Sequence, residues 1–212
     1  MRSLVVLSLL LGVASHCCTA QSIPVAHEFR YQVLVTLPRV HGFAGTIVLE
    51  QHLEADDLAP NERVQGVGIV SPLVNRMSVG SELRQVVTPT GVEHRYIETF
   101  NAAVPLLAGF EWRNRARTEI RDVAGTWSHR YQDRAILGHD LSLMRHTVFS
   151  YVQENLSYDS RYATINRQEA TVGIRVPVTA GSSIDSYVTR SNDVRRTPHL
   201  LVASGVTIRV AL

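Results

Sequence analysis

Residues 110–121 read FEWRNRARTEIR, and every second residue of that stretch gives Glu111, Arg113, Arg115, Arg117, Glu119 and Arg121. Between them lie Phe110, Trp112, Asn114, Ala116, Thr118 and Ile120. On an α-helix alternate residues step by about 200°, so these charges would spread around the cylinder and leave no apolar face. On a strand they share one face, opposite the aromatic and small residues. The stretch is therefore predicted to be a long strand with one charged face. A soluble sheet would turn that face outward to water. A membrane barrel would turn it inward, around a wet lumen.

The same two-residue period recurs at 29–37, 42–54, 63–71, 76–87, 93–104, 127–137, 147–159, 166–176, 182–190 and 199–212. The clearest apolar stripes are Phe29, Tyr31, Val33, Val35 and Leu37 near the start, and Leu200, Val202, Val206, Ile208, Val210 and Leu212 at the end. Segment 93–104 is less regular, because Glu98 falls in phase with Tyr96, Phe100, Ala102 and Val104, which suggests a bulge. Globular strands run about 5–6 residues, whereas tilted membrane strands need about 9–11. Many of these segments are of the longer kind. Tight connections, such as 37–42 and 177–181, alternate with longer polar ones, such as 54–62 and 191–198, an asymmetry typical of membrane barrels. Residues 138–146 break the rule, being long where a short turn is due.

These features predict an all-β fold, an antiparallel up-and-down transmembrane β-barrel. The segments number eleven, whereas single-chain bacterial barrels carry even counts, so ten to twelve strands is the expected range. No linker or low-complexity tract divides residues 21–212, which read as one barrel domain.

The first twenty residues, MRSLVVLSLLLGVASHCCTA, carry one basic residue, an apolar run and small residues at Cys18 and Ala20. They read as a signal peptide cleaved after Ala20. Cys17 and Cys18, the only two cysteines, would leave with it, so no disulfide framework is expected. Every basic residue is arginine, and 21 basic against 19 acidic residues give no argument for a nucleic-acid partner.

A charge enclosed in a small barrel must find a partner or water, because a buried lone ion costs several kcal/mol. The charged faces supply both signs. The predicted lumen-lining polar network is Arg76, Glu82, Arg84, Glu111, Arg113, Arg115, Arg117, Glu119, Arg121, Arg130, Arg134, Glu154, Arg167, Glu169 and Arg175, with Glu28 and Glu50 as further carboxylates. Aromatics near strand ends, among them Phe43, Phe110, Trp112, Trp127, Tyr131 and Phe149, suit interfacial girdles.

The succession GSELRQ, EHRYIETF, FEWRNRARTEIR, SHRYQDR, VFSYVQENLSYD and INRQEATVGIRVPV, with the alternating C-terminal strand, resembles a domain-of-unknown-function family of Gram-negative outer-membrane β-barrels. The residues that carry the resemblance are Arg113, Arg115 and Arg117; Arg130 and Arg134; and Asn166, Arg167 and Gly173. The resemblance implies an outer-membrane location and a barrel fold, and no established activity.

Three functions follow as expectations. The first is a small outer-membrane barrel with an Arg/Glu-lined lumen, either a porin-like passive channel for small anionic solutes or a structural barrel. Its partners would be outer-membrane lipid and the barrel-insertion machinery, which would read the C-terminal strand. The second is a lipid-modifying hydrolase at the bilayer rim, with Ser128 and His129, or His139 and Ser142, as candidate pairs. Neither pair forms a recognised nucleophile motif. The third is a soluble periplasmic barrel holding an apolar ligand, with its apolar stripes inside. His139, Asp140 and His146 lack the further ligands a zinc site needs, and no phosphate-binding glycine loop occurs, so no metal or cofactor is expected.

Overall fold

The computed structural model describes residues 24–74, 76–143, 146–194 and 197–212. The predicted signal peptide, with Cys17 and Cys18, lies outside the described residues. The strands are β1 (Val25–Val40), β2 (Phe43–Glu54), β3 (Pro60–Pro72), β4 (Met77–Thr88), β5 (Gly91–Pro105), β6 (Phe110–Val123), β7 (Thr126–Leu143), β8 (His146–Asp159), β9 (Thr164–Thr179), β10 (Ser182–Asp193) and β11 (Leu200–Ala211). They pair in chain order and close into a single barrel. Each overlaps one of the segments picked out by the two-residue period.

The strands number eleven, within the expected ten to twelve and odd where even counts are usual. Neighbours in the chain run antiparallel, so an odd ring must bring the first and last strands together in the same direction. β1 and β11 accordingly pair in parallel, from Val25 opposite Leu200 to Thr36 opposite Ala211.

Two irregularities read from the sequence resolve. β7 runs on to Leu143 and absorbs most of 138–146, so the connection to β8 is short. No register shift interrupts β5 on either side. Glu98 therefore keeps its phase and lies on the outer face with Tyr96 and Phe100. The asymmetry of connections is weaker than predicted. Those at the β1–β2 end span two to four residues and those at the β2–β3 end two to six.

Alternation sorts each strand into an inner and an outer set. On β6, Arg117, Glu119 and Arg121 are buried while Trp112, Thr118 and Ile120 are exposed. On β9, Glu169 and Thr171 are buried and Val172 and Ile174 exposed. The wall is thus apolar outside and polar inside. Outer aromatics gather towards both ends, with Phe29, Tyr31, Trp127 and Tyr131 near one and Phe43 and Trp112 near the other. Phe149 departs from that prediction. It turns inward, between the guanidinium groups of Arg113 and Arg175, at 4.4 and 5.5 Å from its centroid.

Inward rings are accommodated by glycine. Gly138, Tyr151, Gly173, Tyr187 and Gly205 stand opposite one another in one row across β7 to β11. A Cβ on Gly173 would meet the ring of Tyr151, one on Gly205 the ring of Tyr187, and one on Gly138 the ring of Phe149. Each ring occupies the space over the neighbouring strand that a side chain there would take.

Candidate functional site

The enclosed space of the barrel is a cavity of about 420 Å³. Register aligns its charged side chains in rows. One row runs Arg84, Arg95, Arg121 and Ser128 across β4 to β7. The next runs Glu82, Ile97, Glu119, Arg130 and Asp159 across β4 to β8. A row of arginines beside a row of carboxylates lets each guanidinium reach diagonally to an opposite charge.

Those contacts form a dense network at the β2–β3 end. Arg121 donates to Asp159 at 2.6 Å and to Glu93 at 2.6 Å. Arg117 pairs with Glu119 at 2.9 Å, and Arg130 lies 3.6 Å from Glu119 and 3.5 Å from Asp159. Arg30 donates to Glu28 at 2.6 Å, and His52 contacts Glu28 at 3.1 Å and Glu50 at 2.5 Å. Arg161, in the β8–β9 turn, donates to Asp159 at 2.8 Å, and that bond holds the guanidinium more firmly protonated than usual. The side chains of Glu28, Glu119, Arg121, Arg130 and Asp159 are no more than 5% exposed. Ion pairs, together with Val64, Val86, Ile97 and Leu201, fill this half of the lumen.

The β1–β2 end is looser. Arg113 and Arg209 keep 36% of their side chains exposed and Arg175 keeps 25%. Arg175 and Arg209 share Asp185, at 2.9 and 3.4 Å, and the Tyr151 hydroxyl donates to the same carboxylate at 2.8 Å. Charged side chains are thus buried more deeply at the β2–β3 end and more exposed at the β1–β2 end.

Of the predicted lumen residues, Glu82, Arg84, Arg115, Arg117, Glu119, Arg121, Arg130, Arg134, Arg167, Glu169 and Arg175 point inward. Glu111 and Arg113 lie at the rim, paired with each other. Two placements are corrected. Arg76 sits in the β3–β4 turn rather than on a strand, with its side chain 60% exposed and 3.4 Å from Glu111. Glu154 is on the outer face, because β8 turns Gln153 and Asn155 inward, and it accepts from Gln168 at 3.0 Å.

Sequence reasoning missed Arg30, His52, Glu93, Arg95, Asp159, Asp185, Asp193 and Arg209. The alternation around Arg30, within FRYQVLVTL, carried the signal, since Arg30 and Gln32 share a phase with Glu28. Asp159 and Asp193 close their strands; Asp159 is the last residue of the predicted segment 147–159 and Asp193 falls in the predicted connection 191–198.

No protein-family model, curated protein or solved structure matches the chain.

The outer wall carries a few polar groups amid exposed apolar ones. Ser81 donates to both carboxylate oxygens of Glu98, at 2.8 and 2.9 Å, and the Tyr96 hydroxyl also donates to that carboxylate. Asn114 donates to Asp133 at 2.7 Å. The candidate catalytic pairs do not assemble. Ser128 is buried inside while His129 is exposed outside, and His139 and Ser142 likewise have opposite phases on β7. His139 points outward, edge-on to Phe110 at 4.5 Å, away from Asp140.

Proposed function

We propose that this chain is a small outer-membrane β-barrel, a structural barrel whose lumen is plugged at the β2–β3 end by its own ion pairs. The observation that carries the reading is the direction of the two faces. Val67, Leu83, Val172 and Ile208 stand 43–60% exposed on the outside, while Glu119 and Arg121 are 2% exposed inside. In water such a wall would leave an apolar surface far beyond the few hundred Å² that soluble monomers expose. In a bilayer it is the favourable arrangement, with greasy side chains against lipid and every backbone group paired within the closed sheet. It is also the reverse of a soluble barrel with apolar stripes around an apolar ligand.

The length of the strands supports the same reading, since each of the eleven has at least twelve residues, and tilted spans need about 9–11. Residues 1–20 then serve as the export signal. The apolar outer set of β11 is the feature an insertion machinery would read, and the resemblance of the arginine-rich strands to outer-membrane barrels agrees with it.

A porin-like passive channel needs a continuous wet path. The network from Glu28 through Arg30, Glu119, Arg121 and Asp159 fills that path with paired side chains. Two measurements test the proposal. The expressed protein should stay with the outer-membrane fraction through alkaline washing and migrate faster unheated than boiled. In planar bilayers the wild type should give no steady stepwise conductance. Release by alkaline washing overturns the membrane reading, and steady anion-selective steps restore the channel in place of the plug.

A further inference from the structure

One row of the lumen is built differently from the others. Across β4 to β9 it runs Ser78, Asn101, Arg115, Arg134, Asn155 and Glu169. Arg115 and Arg134 are direct partners across β6 and β7, so two like charges face each other, as Arg84, Arg95 and Arg121 do across β4 to β6 beside their carboxylates. Like charges so placed destabilise a sheet. The flanks of Arg115 and Arg134 are amides, where a carboxylate would have neutralised them. Asn101 donates to Ser78 at 3.1 Å, and Asn155 donates to Glu169 at 2.7 Å.

Glu169, the one carboxylate of the row, is engaged elsewhere, with Arg167 at 2.6 Å and Arg30 at 3.3 Å. The other inward arginines each have an acidic partner: Arg84 has Glu82, Arg95 has Glu93, Arg117 has Glu119, and Arg175 has Asp185. Among the described residues, Arg115 and Arg134 make no ion pair and no side-chain hydrogen bond, and Nε of Arg134 is buried without an acceptor. Both line the 420 Å³ cavity, as do Arg84 and Arg117.

We propose that Arg115 and Arg134 form a binding site for a small oxyanion, a phosphate, a sulfate or the carboxylate of a small solute, entering from the β1–β2 end. A guanidinium presents paired N–H donors in a planar fork that matches the oxygens of such an anion. Two facing forks without a carboxylate in ion-pair contact are complementary to one bridging anion. This rests on the proposed reading of the lumen as plugged at the β2–β3 end.

The probe is inorganic phosphate added to the refolded full barrel in maltoside micelles, which carry no phosphate of their own. At constant ionic strength, phosphate should raise the unfolding temperature of the wild type while chloride does not. The double variant R115Q/R134Q should lose that shift. Without phosphate it should unfold at a higher temperature than the wild type, because the like-charge pair is gone. If it fails to fold, R115K/R134K decides: it keeps both charges but not the forks, and its phosphate affinity should fall about tenfold. R76Q, in the β3–β4 turn, should respond as the wild type does.

An equal phosphate shift in the wild type and either double variant overturns the site, as does no shift in the wild type. Phosphate binding by a chain that alkaline washing releases would keep the site and lose the membrane reading. A membrane-held barrel indifferent to phosphate would lose the site alone. Added vesicles containing anionic phospholipid separate a headgroup from a free oxyanion, since only a headgroup would displace the phosphate.

Discussion

Arg30 on β1 donates to Glu169 on β9 at 3.3 Å, although β11 and β10 lie between their strands in the barrel wall. The contact is a chord through the lumen that spans the parallel β1–β11 seam. Parallel pairing is slightly weaker per residue than antiparallel pairing, so a side-chain tie across that seam reinforces the joint the odd strand count imposes. Both side chains are at most 10% exposed. Arg30 would keep Glu28 at 2.6 Å, but Glu169 also holds Arg167 at 2.6 Å, so its loss leaves excess positive charge buried there, at a cost of up to about 3–5 kcal/mol. Glu169→Gln should therefore lower the stability of the folded barrel by up to that amount, read as the urea midpoint of unheated migration. A double variant that also carries Arg30→Met should recover part of the loss. An unchanged midpoint in E169Q would mean the lumen is wet enough there to screen the pair.

The glycine row makes a steric prediction. A Cβ on Gly173 would approach the Tyr151 ring to 2.5 Å, well inside contact distance. Tyr151 cannot swing away freely, because its hydroxyl is held by Asp185 at 2.8 Å. Gly173→Ala should destabilise the barrel by about 1–3 kcal/mol, the usual range for overpacking. Tyr151→Ala on the G173A background should relieve the overlap, so the two substitutions should be non-additive. Additive losses in that cycle would separate the glycine from the ring.

The strands were legible because charge alternates with apolar character along them, and that period survives without any knowledge of neighbours. FEWRNRARTEIR carried both the strand and its inner face. What alternation does not carry is closure. The parallel seam between Val25–Thr36 and Leu200–Ala211 joins the two ends of the chain, and no local pattern encodes it. The count of eleven was legible in the period, but how an odd ring closes was not. Glu154 reads as inward only by its charge; it shares its phase with Val152 and Leu156, and alternation within VQENLS already sets Gln153, Asn155 and Ser157 on the polar face. Partner choice within the lumen was illegible as well. The difference between Arg117, which pairs with Glu119, and Arg115, which makes no ion pair among the described residues, arises from the rows that strand stagger brings together.

The direction of the faces can be read chemically. Cys17 and Cys18 are the only cysteines, so a chain beginning at Gln21 accepts single cysteines without background. Cysteines at Val172 and Ile208, 46% and 43% exposed on the outer wall, should resist charged, water-soluble maleimides in lipid vesicles and react with lipid-soluble ones. A cysteine at Arg113, on the rim, should take the water-soluble reagent. Fast aqueous labelling at both outer positions would place that surface in water.

Glu98 gives the sharpest test of what the outer wall touches. It sits mid-strand on β5, opposite Ser81 on one side and Thr118 on the other, with Phe100 and Tyr96 two residues away on the same face. Against hydrocarbon, a carboxylate is disfavoured, by less than the ~2–4 kcal/mol of a basic residue at the midplane. The hydrogen bonds it accepts, one from the Ser81 hydroxyl shared between its two oxygens and one from Tyr96, offset part of that cost. In water the same carboxylate would be solvated and nearly neutral for stability. Glu98→Leu should therefore stabilise the barrel in lipid bilayers and have little effect in a water-facing setting. Tyr96→Phe should destabilise the bilayer form while Glu98 is present and be silent once residue 98 is leucine. Both effects come from refolding titrations in vesicles against those in micelles. A loss of stability in bilayers for E98L would instead mark Glu98 as seated against polar groups, not lipid.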